Sequence, residues 1–301
     1  MEINWYPGHM AKTRRLLLDQ ISRVDLVIEL CDARLPRSSR NPDLNRMIGE
    51  KTRILILNKA DLADPDVNAR WVRHFRNEGL EVCTAEARAM KAADALNAIE
   101  RSTREAVRRA ENRGIRKIIR AMVVGVPNVG KSTYINRLRG SSVARTGDRP
   151  GITRSSQWIR ITPYLEVLDT PGLLWPRLDD QTAARRLAYL GTIRDDVMNL
   201  DDLSLSLLND LAETVPERVS DRFHVEDTGL RGLELMNAVC LGRGFLLKGK
   251  EYDYDRCCRV VLDEFRAGKL GRLSLEAPKE KGRNTHGEDG QDGANSHTEG
   301  I

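Results

Sequence analysis

The stretch that decides the fold is Gly125-Val126-Pro127-Asn128-Val129-Gly130-Lys131-Ser132. It matches the pattern Gly-x4-Gly-Lys-Ser, with an apolar run over 118–124 before it and a segment of helical spacing over 133–138 after it. In a strand–loop–helix unit of this kind, backbone N–H groups and the start of the helix face a phosphate group. We therefore predict a phosphate-binding loop in which six consecutive residues contact the ligand: Asn128, Val129, Gly130, Lys131, Ser132 and Thr133.

Polar residues in and after this loop are predicted to serve the phosphates and a metal ion. Lys131 adds a positive charge for the β- and γ-phosphates, and the hydroxyl of Ser132 suits Mg²⁺. Asp169 follows the apolar strand predicted over 165–168, where a carboxylate can hold Mg²⁺ through water. The Asp-x-x-Gly motif that it begins ends at Gly172, whose N–H can approach the γ-phosphate.

A threonine between these motifs is predicted to complete the Mg²⁺ shell when the γ-phosphate is present. Thr153 is preferred over Thr146 for this role because it follows the Pro150-Gly151 turn, as expected of a first switch loop. The alternative is that Thr153 is an ordinary loop threonine.

The base is predicted to be read by Asn58-Lys59-Ala60-Asp61, which ends the apolar strand over 54–57. The carboxylate of Asp61 can accept hydrogen bonds from guanine N1–H and the exocyclic amine, whereas adenine would leave it unpaired. Lys59 can cover one face of the base with its aliphatic stem, and Asn58 can tie this loop to the phosphate loop. The ligand is therefore predicted to be GTP or GDP rather than ATP.

The order of these motifs is reversed relative to Ras-like GTPases, in which the base-reading motif comes last. The same sheet forms if the original chain ends are joined, and the charged helical stretch over 91–113 is long enough to join them. Strand-length apolar runs alternate with helical segments, which indicates a mostly parallel sheet. We predict a circularly permuted Ras-like P-loop GTPase domain with six strands, over 24–30, 54–57, 80–83, 118–124, 158–161 and 165–168.

After Pro176 the pattern becomes helical, most clearly over 255–267, where Cys258, Val261, Leu262 and Phe265 share one face. We predict the GTPase domain over 1–176, a smaller all-α domain over 177–276 and a disordered polar tail over 277–301. The second switch, Asp169 to Gly172, then lies next to the domain junction. Nucleotide state is therefore expected to reposition the helical domain.

Composition argues against membrane-spanning, secreted and disulfide-bonded classes of protein. No apolar run approaches the length of a membrane span, and the first five residues do not resemble a signal peptide, so we expect a cytoplasmic protein. Five scattered cysteines are expected to be reduced thiols. The net charge is +5, and the tail is acidic, so the remainder is more basic than the whole chain. A basic body suits phosphate backbones, although a solvated surface is the alternative.

Beyond the nucleotide motifs, three stretches are distinctive: Asn4-Trp5-Tyr6-Pro7-Gly8-His9-Met10, Asp32-Ala33-Arg34 with Pro36 and Asn41-Pro42, and Phe265-Arg266-Ala267-Gly268-Lys269-Leu270-Gly271. With them the chain resembles the circularly permuted ribosome-biogenesis GTPases of the YlqF/RbgA type over nearly its whole folded length. The resemblance implies a factor that binds a late precursor of the large ribosomal subunit in its GTP form, hydrolyses GTP with stimulation by the subunit, and leaves. We expect a monomer that binds neither DNA nor a membrane.

The resemblance also implies that the helical domain helps to bind rRNA, for which the basic residues close in sequence are Arg231, Arg243, Lys248, Lys250, Arg256 and Arg259. A solvated surface is the alternative for each of them. One departure concerns the second base-binding loop, which often reads Ser-Ala-Lys in GTPases. Here it reads Thr84-Ala85-Glu86, so its individual contacts are not assigned.

The catalytic group is open, because Leu173 replaces the glutamine that orients water in many Ras-like enzymes. By resemblance the first candidate is His9, whose imidazole can orient a water near neutral pH, with a structural histidine as the alternative. Asn128 offers a second route, since related GTPases use an asparagine there to hold K⁺ against the phosphates.

Two other functions fit parts of the pattern. A GTP-gated RNA-binding scaffold would bind nucleotide in the same way, with hydrolysis incidental to its task. A metabolic P-loop kinase would have no use for the motif over 58–61, so displacement of GTP by ATP would favour it.

Overall fold

The computed structural model describes residues 7–87, 89–140, 156–170 and 180–279, with side chains described from residue 15 onward. Its centre is a single six-stranded sheet, and all six predicted strands are present. The strands are β1 (Leu26–Asp32), β2 (Thr52–Asn58), β3 (Glu81–Ala85), β4 (Ile119–Val124), β5 (Gln157–Thr162) and β6 (Leu165–Asp169).

The strand order is β3-β2-β1-β4-β6-β5, and only β5 at the edge runs antiparallel. β1 pairs with β2 on one side and with β4 on the other, both in parallel register. The strand before the phosphate loop therefore lies in the middle of the sheet although it comes fourth in the chain. This topology confirms the predicted circularly permuted, mostly parallel fold. Every residue of β1 is buried, which accounts for its mostly apolar sequence; its two acids, Glu29 and Asp32, are paired with Arg53 and Arg34.

Helices cover both faces of the sheet: α1 (Pro7–Ser22), α2 (Leu44–Ile48), α3 (Pro65–Asn77), α4 (Ala92–Glu111) and α5 (Lys131–Arg139). Helix α3 begins where Asp64 accepts hydrogen bonds from the N–H groups of Asp66 and Val67, and it packs Trp71 and Phe75 onto β2 and β3. Helix α4 joins β3 to β4, as expected for the segment that closes the permutation.

The remainder contains helices α6 (Gln181–Tyr189), α7 (Leu200–Thr214), α8 (Pro216–Phe223), α9 (Gly232–Gly242) and α10 (Tyr254–Arg266), with a short 3-10 helix at Asp195–Val197. Helix α10 matches the predicted amphipathic segment, and the four apolar residues predicted to share a face are all buried. The predicted boundary near Pro176 and the tail from residue 280 lie outside the described residues. The division into 1–176, 177–276 and 277–301 therefore stays a prediction.

After α10 the chain turns back to the sheet. We call residues 268–276 the return segment. Leu273 donates its N–H to the carbonyl oxygen of Leu62 at 3.0 Å, and Leu275 donates to Arg34 at the same distance. The indole of Trp71 donates to the carbonyl oxygen of Glu276 at 3.0 Å. The end of the predicted helical unit is thus non-helical and fixed to the loops that follow β1 and β2.

The structure also bears on the expectations about membrane spans and cysteines. Among the described residues, no helix has the length and apolar character needed to cross a bilayer. All five cysteines are free thiols, four of them buried, and no cluster of three or more His, Cys, Asp or Glu side chains that could hold a metal ion lies in the described ranges.

Candidate functional site

The phosphate loop begins at the end of β4. Its two glycines each lie so close to a neighbouring atom that a Cβ would not fit. A Cβ atom on Gly125 would lie 2.5 Å from the carbonyl oxygen of Leu30. Gly130 has a φ of +98° and stands at the start of α5, where a Cβ would lie 2.5 Å from the Nδ2 atom of Asn58. Any larger residue at Gly130 would therefore push the phosphate loop away from the base-reading loop.

Asn58 joins three loops at the end of the sheet. Its Nδ2 atom donates to the carbonyl oxygen of Val129 at 2.7 Å, and its Oδ1 atom accepts from the N–H of Ala87 at 3.1 Å. Ala60 also donates its N–H to the carbonyl oxygen of Ala85 at 3.1 Å. The base-reading loop, the phosphate loop and the loop after β3 are therefore assembled into one site.

Lys131 is folded into the phosphate loop. Its Nζ atom donates to the carbonyl oxygens of Gly125 and Val126, at 3.2 and 3.1 Å, and the residue is buried. Burial lowers the pKa of Lys131 from 10.5 to about 8, against the opposing effect of Asp169. A bound anion would raise this pKa again, so the loop favours a ligand of negative charge.

Asp169 and Ser132 form an oxygen-rich group beside Lys131. The hydroxyl of Ser132 donates to Oδ2 of Asp169 at 3.5 Å, and Asp169 is fully buried. Burial raises the pKa of Asp169, although Lys131 and hydrogen bonds from Ser132 and Thr170 act in the opposite direction. Its Oδ1 atom has no hydrogen-bond partner in the described part of the chain. A buried carboxylate oxygen of this kind fits Mg²⁺, which prefers hard oxygen ligands.

The base-reading side of the site rests on a buried ion cluster that contains Asp32 and Arg34 of the Asp32-Ala33-Arg34 stretch. Arg34 binds both carboxylate oxygens of Asp32, from Nε and Nη2, each at 2.9 Å. Lys59 places its Nζ atom 3.1 Å from Oδ2 of the same Asp32. Burial alone would raise the pKa of Asp32, but the charges of Arg34 and Lys59 outweigh it and hold that pKa well below its usual range.

This cluster reaches the helical part of the chain. Arg34 donates from Nη1 to the carbonyl oxygen of Phe265 at 2.8 Å, and its guanidinium lies 4.8 Å from the centre of that ring. Asp61 itself is exposed, as a base-reading carboxylate in an open site must be. The position of Asp32 and Arg34 at the end of β1, next to the strand that carries Asn58, is the signal that links this motif to the site.

Asn128 contacts the helical part as well. It has a φ of +61°, and its Nδ2 atom donates to the carbonyl oxygen of Gly191 at 2.5 Å. The turn that holds Gly191 is fixed by Arg266, which donates to the carbonyl oxygen of Tyr189 at 3.0 Å and pairs with both carboxylate oxygens of Asp195 at 2.7 and 2.8 Å. The sequence pattern did not indicate either contact.

Several predicted site residues lie outside the described residues. These are Thr153 with its alternative Thr146, Gly172 and Leu173. His9 lies within the bounds of α1, but its side chain is not among those described. Their roles stay predictions.

The basic residues predicted to bind rRNA divide into three groups. Arg243 pairs with Glu264 at 3.1 Å, and Arg231 donates to the carbonyl oxygen of Ala212 at 3.2 Å, so both have partners within the fold. Arg256 lies over the ring of Phe245, 4.8 Å from its centre. The exposed remainder is Lys248, Lys250 and Arg259.

Comparison with known proteins agrees with this geometry. The model of the 50S ribosome-binding GTPase family matches residues 120–223. GNP-bound YlqF from T. maritima superposes with a TM-score of 0.63 and 26% identity, over 89% of this chain and 99% of that one.

Curated relatives extend over almost the whole chain. Ribosome biogenesis GTPase A of Thermotoga maritima is 30% identical over 92% of this chain and 95% of its own length. Ribosome biogenesis GTPase A of Bacillus cereus is 42% identical over 94% of this chain and 96% of its own length. Similarity of this extent confirms the predicted resemblance and shows that the chain belongs to the ribosome biogenesis GTPase A family.

Proposed function

We propose that this protein binds GTP and GDP, hydrolyses GTP, and acts in the assembly of the large ribosomal subunit. It binds the precursor subunit in the GTP state and leaves after hydrolysis. The observation that best supports the nucleotide part is the Asn58–Val129 hydrogen bond, which joins a guanine-reading motif to a phosphate loop. The names of the curated relatives support the ribosomal part.

The base is held by Asp61 and Lys59. Asp61 accepts the two N–H donors of guanine, and the stem of Lys59 covers one face of the ring while Asp32 holds its ammonium. Competition between nucleotides tests this assignment. GDP is expected to displace bound GTP and ATP is not, and displacement by ATP with equal affinity would favour a kinase instead.

The phosphates are held by the N–H groups of residues 128–133 and by Lys131. Ser132 and Asp169 hold Mg²⁺, with Thr153 as the hydroxyl that joins them in the GTP state, and Gly172 approaches the γ-phosphate. When bound, Mg²⁺ neutralises negative charge on the β- and γ-phosphates. The buried, unpartnered Oδ1 atom of Asp169 supports this assignment.

His9 orients the attacking water, because Leu173 has no polar group with which to do so. The variant His9→Ala is expected to keep GTP affinity and to lose most hydrolysis stimulated by the large subunit. Single-turnover hydrolysis with purified subunits measures this, and an unchanged rate would assign the role elsewhere.

Asn128 helps to hold K⁺ against the phosphates. Its side-chain nitrogen donates to Gly191, so a cation would be bound through the side-chain oxygen. Hydrolysis is expected to be faster in K⁺ than in Na⁺ buffer, and Asn128→Ala should remove the difference. Equal rates in the two buffers, with and without ribosomal subunits, would count against this role.

The partner is the precursor of the large subunit and its rRNA, bound by a monomer in the cytoplasm. The exposed Lys248, Lys250 and Arg259 of the helical part suit the RNA backbone. Sedimentation with large subunits, in GDP or in a non-hydrolysable GTP analogue, tests the whole proposal. Binding only with the analogue is expected, and equal binding in both states would contradict a GTP-gated cycle.

A scaffold whose hydrolysis is incidental would pass the sedimentation test. A variant that binds GTP without hydrolysing it separates the two functions. It should remain on the subunits and block further rounds of maturation, whereas a scaffold would support repeated rounds.

A further inference from the structure

Positive charge is concentrated in the segment that links β3 to β4 and so closes the permuted domain. Residues 101–120 contain eight Arg and Lys against two Glu, a net +6, whereas the whole chain carries +5. These residues form the second half of α4, the connection over 112–118 and the start of β4. The rest of the protein is therefore close to neutral, and its basic character resides largely in this segment.

The arginines of α4 present their charge to solvent. Arg101, Arg104 and Arg108 are exposed and lie at positions i, i+3 and i+7, which places them on one stripe of the helix. Arg101 is 3.4 Å from the exposed Glu81, a weak surface pair. Arg113 continues the exposed charge into the connection.

Beyond the connection, arginines alternate with exposed aromatic rings. Tyr164 is 53% exposed and lies under Arg116, whose guanidinium is 5.6 Å from the ring centre. Trp158 is 44% exposed and lies under Arg120 at 5.7 Å. Arg120 is also 3.6 Å from Glu166. Tyr164 accepts the N–H of Ile119 at its carbonyl oxygen, which connects the two pairs.

The connection with Arg116 lies at the far end of β4 from the nucleotide, whereas Trp158 pairs with Leu168, one residue before Asp169. The connection enters β4 at Ile119, and the phosphate loop leaves β4 after Val124. Six residues of strand span about 20 Å at about 3.3 Å per residue. The arginines therefore have no part in binding the GTP phosphates.

We propose that residues 113–120, together with Trp158 and Tyr164, form a second RNA-binding surface, on the GTPase domain, that holds single-stranded rRNA. The arginines of α4, which packs on the other face of the sheet, add positive charge nearby. Arginines neutralise the phosphates, and the two rings stack on unpaired bases, which is the usual chemistry of single-strand recognition. An acidic protein would match the charge but would have no use for the exposed rings beside Arg116 and Arg120. The surface rests on the proposed ribosomal function and adds a site to it.

Charge reversal tests the arginines in the full-length protein. Arg116→Glu with Arg120→Glu is compared with Arg46→Glu with Arg73→Glu, which changes the charge equally at exposed positions of α2 and α3. Binding of a fluorescein-labelled single-stranded RNA 12-mer is measured by anisotropy at several salt concentrations. The first variant should lower the slope of log affinity against log salt by about 1.4, at about 0.7 per phosphate contact. Equal slopes in the two variants would overturn the proposal.

Trp158 tests the stacking. Trp158→Ala should weaken binding of the same RNA about 5- to 150-fold, whereas Trp158→Phe keeps a stacking ring and should bind nearly as well as the unchanged protein. RNA should quench tryptophan fluorescence in the unchanged protein and less in Trp158→Phe. Equal quenching in both, or polyglutamate binding as tightly as RNA and competing for the same arginines, would identify a different partner and contradict the proposal.

The ribosomal function and the RNA-binding surface would be contradicted by different results. If the unchanged protein does not sediment with large subunits in either nucleotide state, the ribosomal function is wrong whatever the 12-mer shows. If it sediments normally and the RNA results match the control variant, only this surface is wrong. GTP affinity should be the same in all four variants.

Discussion

Arg34 donates a hydrogen bond to the carbonyl oxygen of Phe265 across 231 residues of sequence, at 2.8 Å. The same guanidinium holds Asp32, which in turn holds Lys59 of the base-reading loop. The guanine side of the site and helix α10 therefore share one buried charge cluster. A change at either end reaches the other through two side chains.

Removing the arginine should destabilise the protein strongly. In Arg34→Met, the carboxylate of Asp32 would stay buried with Lys59 as its remaining charged partner, and breaking a buried pair costs about 3–5 kcal/mol. Denaturant unfolding measures the loss. The double variant Asp32→Asn with Arg34→Met should recover part of it, and Arg73→Met, at an exposed arginine, should change little. A single variant as stable as the Arg73 control would show that the cluster does not stabilise the fold.

Guanine specificity should follow the carboxylate of Asp61. An asparagine there can accept from N1–H and donate to the 2-carbonyl of xanthine, but it faces the 2-amino group of guanine with its own donor. In Asp61→Asn, GTP affinity should fall about 100-fold or more while affinity for xanthosine triphosphate rises. Fluorescent nucleotide titrations measure both. Asp66→Asn, at an exposed acid nearby, should bind GTP normally; if both variants do so, the base is read elsewhere.

Substitution of Gly268 should lower the stability of the protein for two reasons that can be measured separately. Its φ is +73°, and a Cβ would lie 2.5 Å from Cδ2 of Leu62, next to Asp61. Gly140 has a similar φ of +75°, and no atom of the described residues would lie within 4 Å of its Cβ, so Gly140→Ala measures mainly the backbone cost, about 1 kcal/mol. Gly268→Ala should lose more stability than this and also weaken GDP binding. Adding Leu62→Ala should remove the excess, and equal losses in the two alanine variants would rule out the steric contact.

Low pH should lower the stability of the helical part because Glu264 becomes protonated. Burial raises its pKa, but hydrogen bonds from Arg222 and Arg243 outweigh burial and lower it from 4.5 to about 2. A lowered carboxyl pKa contributes stability that is present above pH 4.5 and lost as the pH falls toward 2. Unfolding experiments over this range should show a shallower loss in Glu264→Gln than in Glu213→Gln, an exposed control. Parallel curves would exclude Glu264 as the titrating group.

The sheet was predictable because its signal is local. Each strand is a short apolar run, and the reversed motif order fixed how the strands had to be joined. The first strand was placed at 24–30 and is observed at Leu26–Asp32, because Val24 is apolar and buried but belongs to the preceding turn. Helix α10 was predicted from its 3.6-residue period.

The contacts between the two parts of the chain were not predictable. Asn128 and Arg34 donate to the carbonyl oxygens of Gly191 and Phe265, and every residue has such an oxygen. An acceptor of this kind leaves no mark in the sequence. Arg243 looked like an RNA ligand because only its charge is visible in sequence, whereas its partner Glu264 lies 21 residues away.

The return segment changes what kind of movement the helical part can make. The helical part begins after β6 in the chain. At its other end, Leu273 and Leu275 of the return segment donate hydrogen bonds to the loops after β2 and β1. A body attached at a single point swings freely, but the helical part is also held by the Arg34–Phe265 and Asn128–Gly191 hydrogen bonds, which leave it little freedom to rotate. A large movement of the helices would therefore require these contacts and the return segment to be released together.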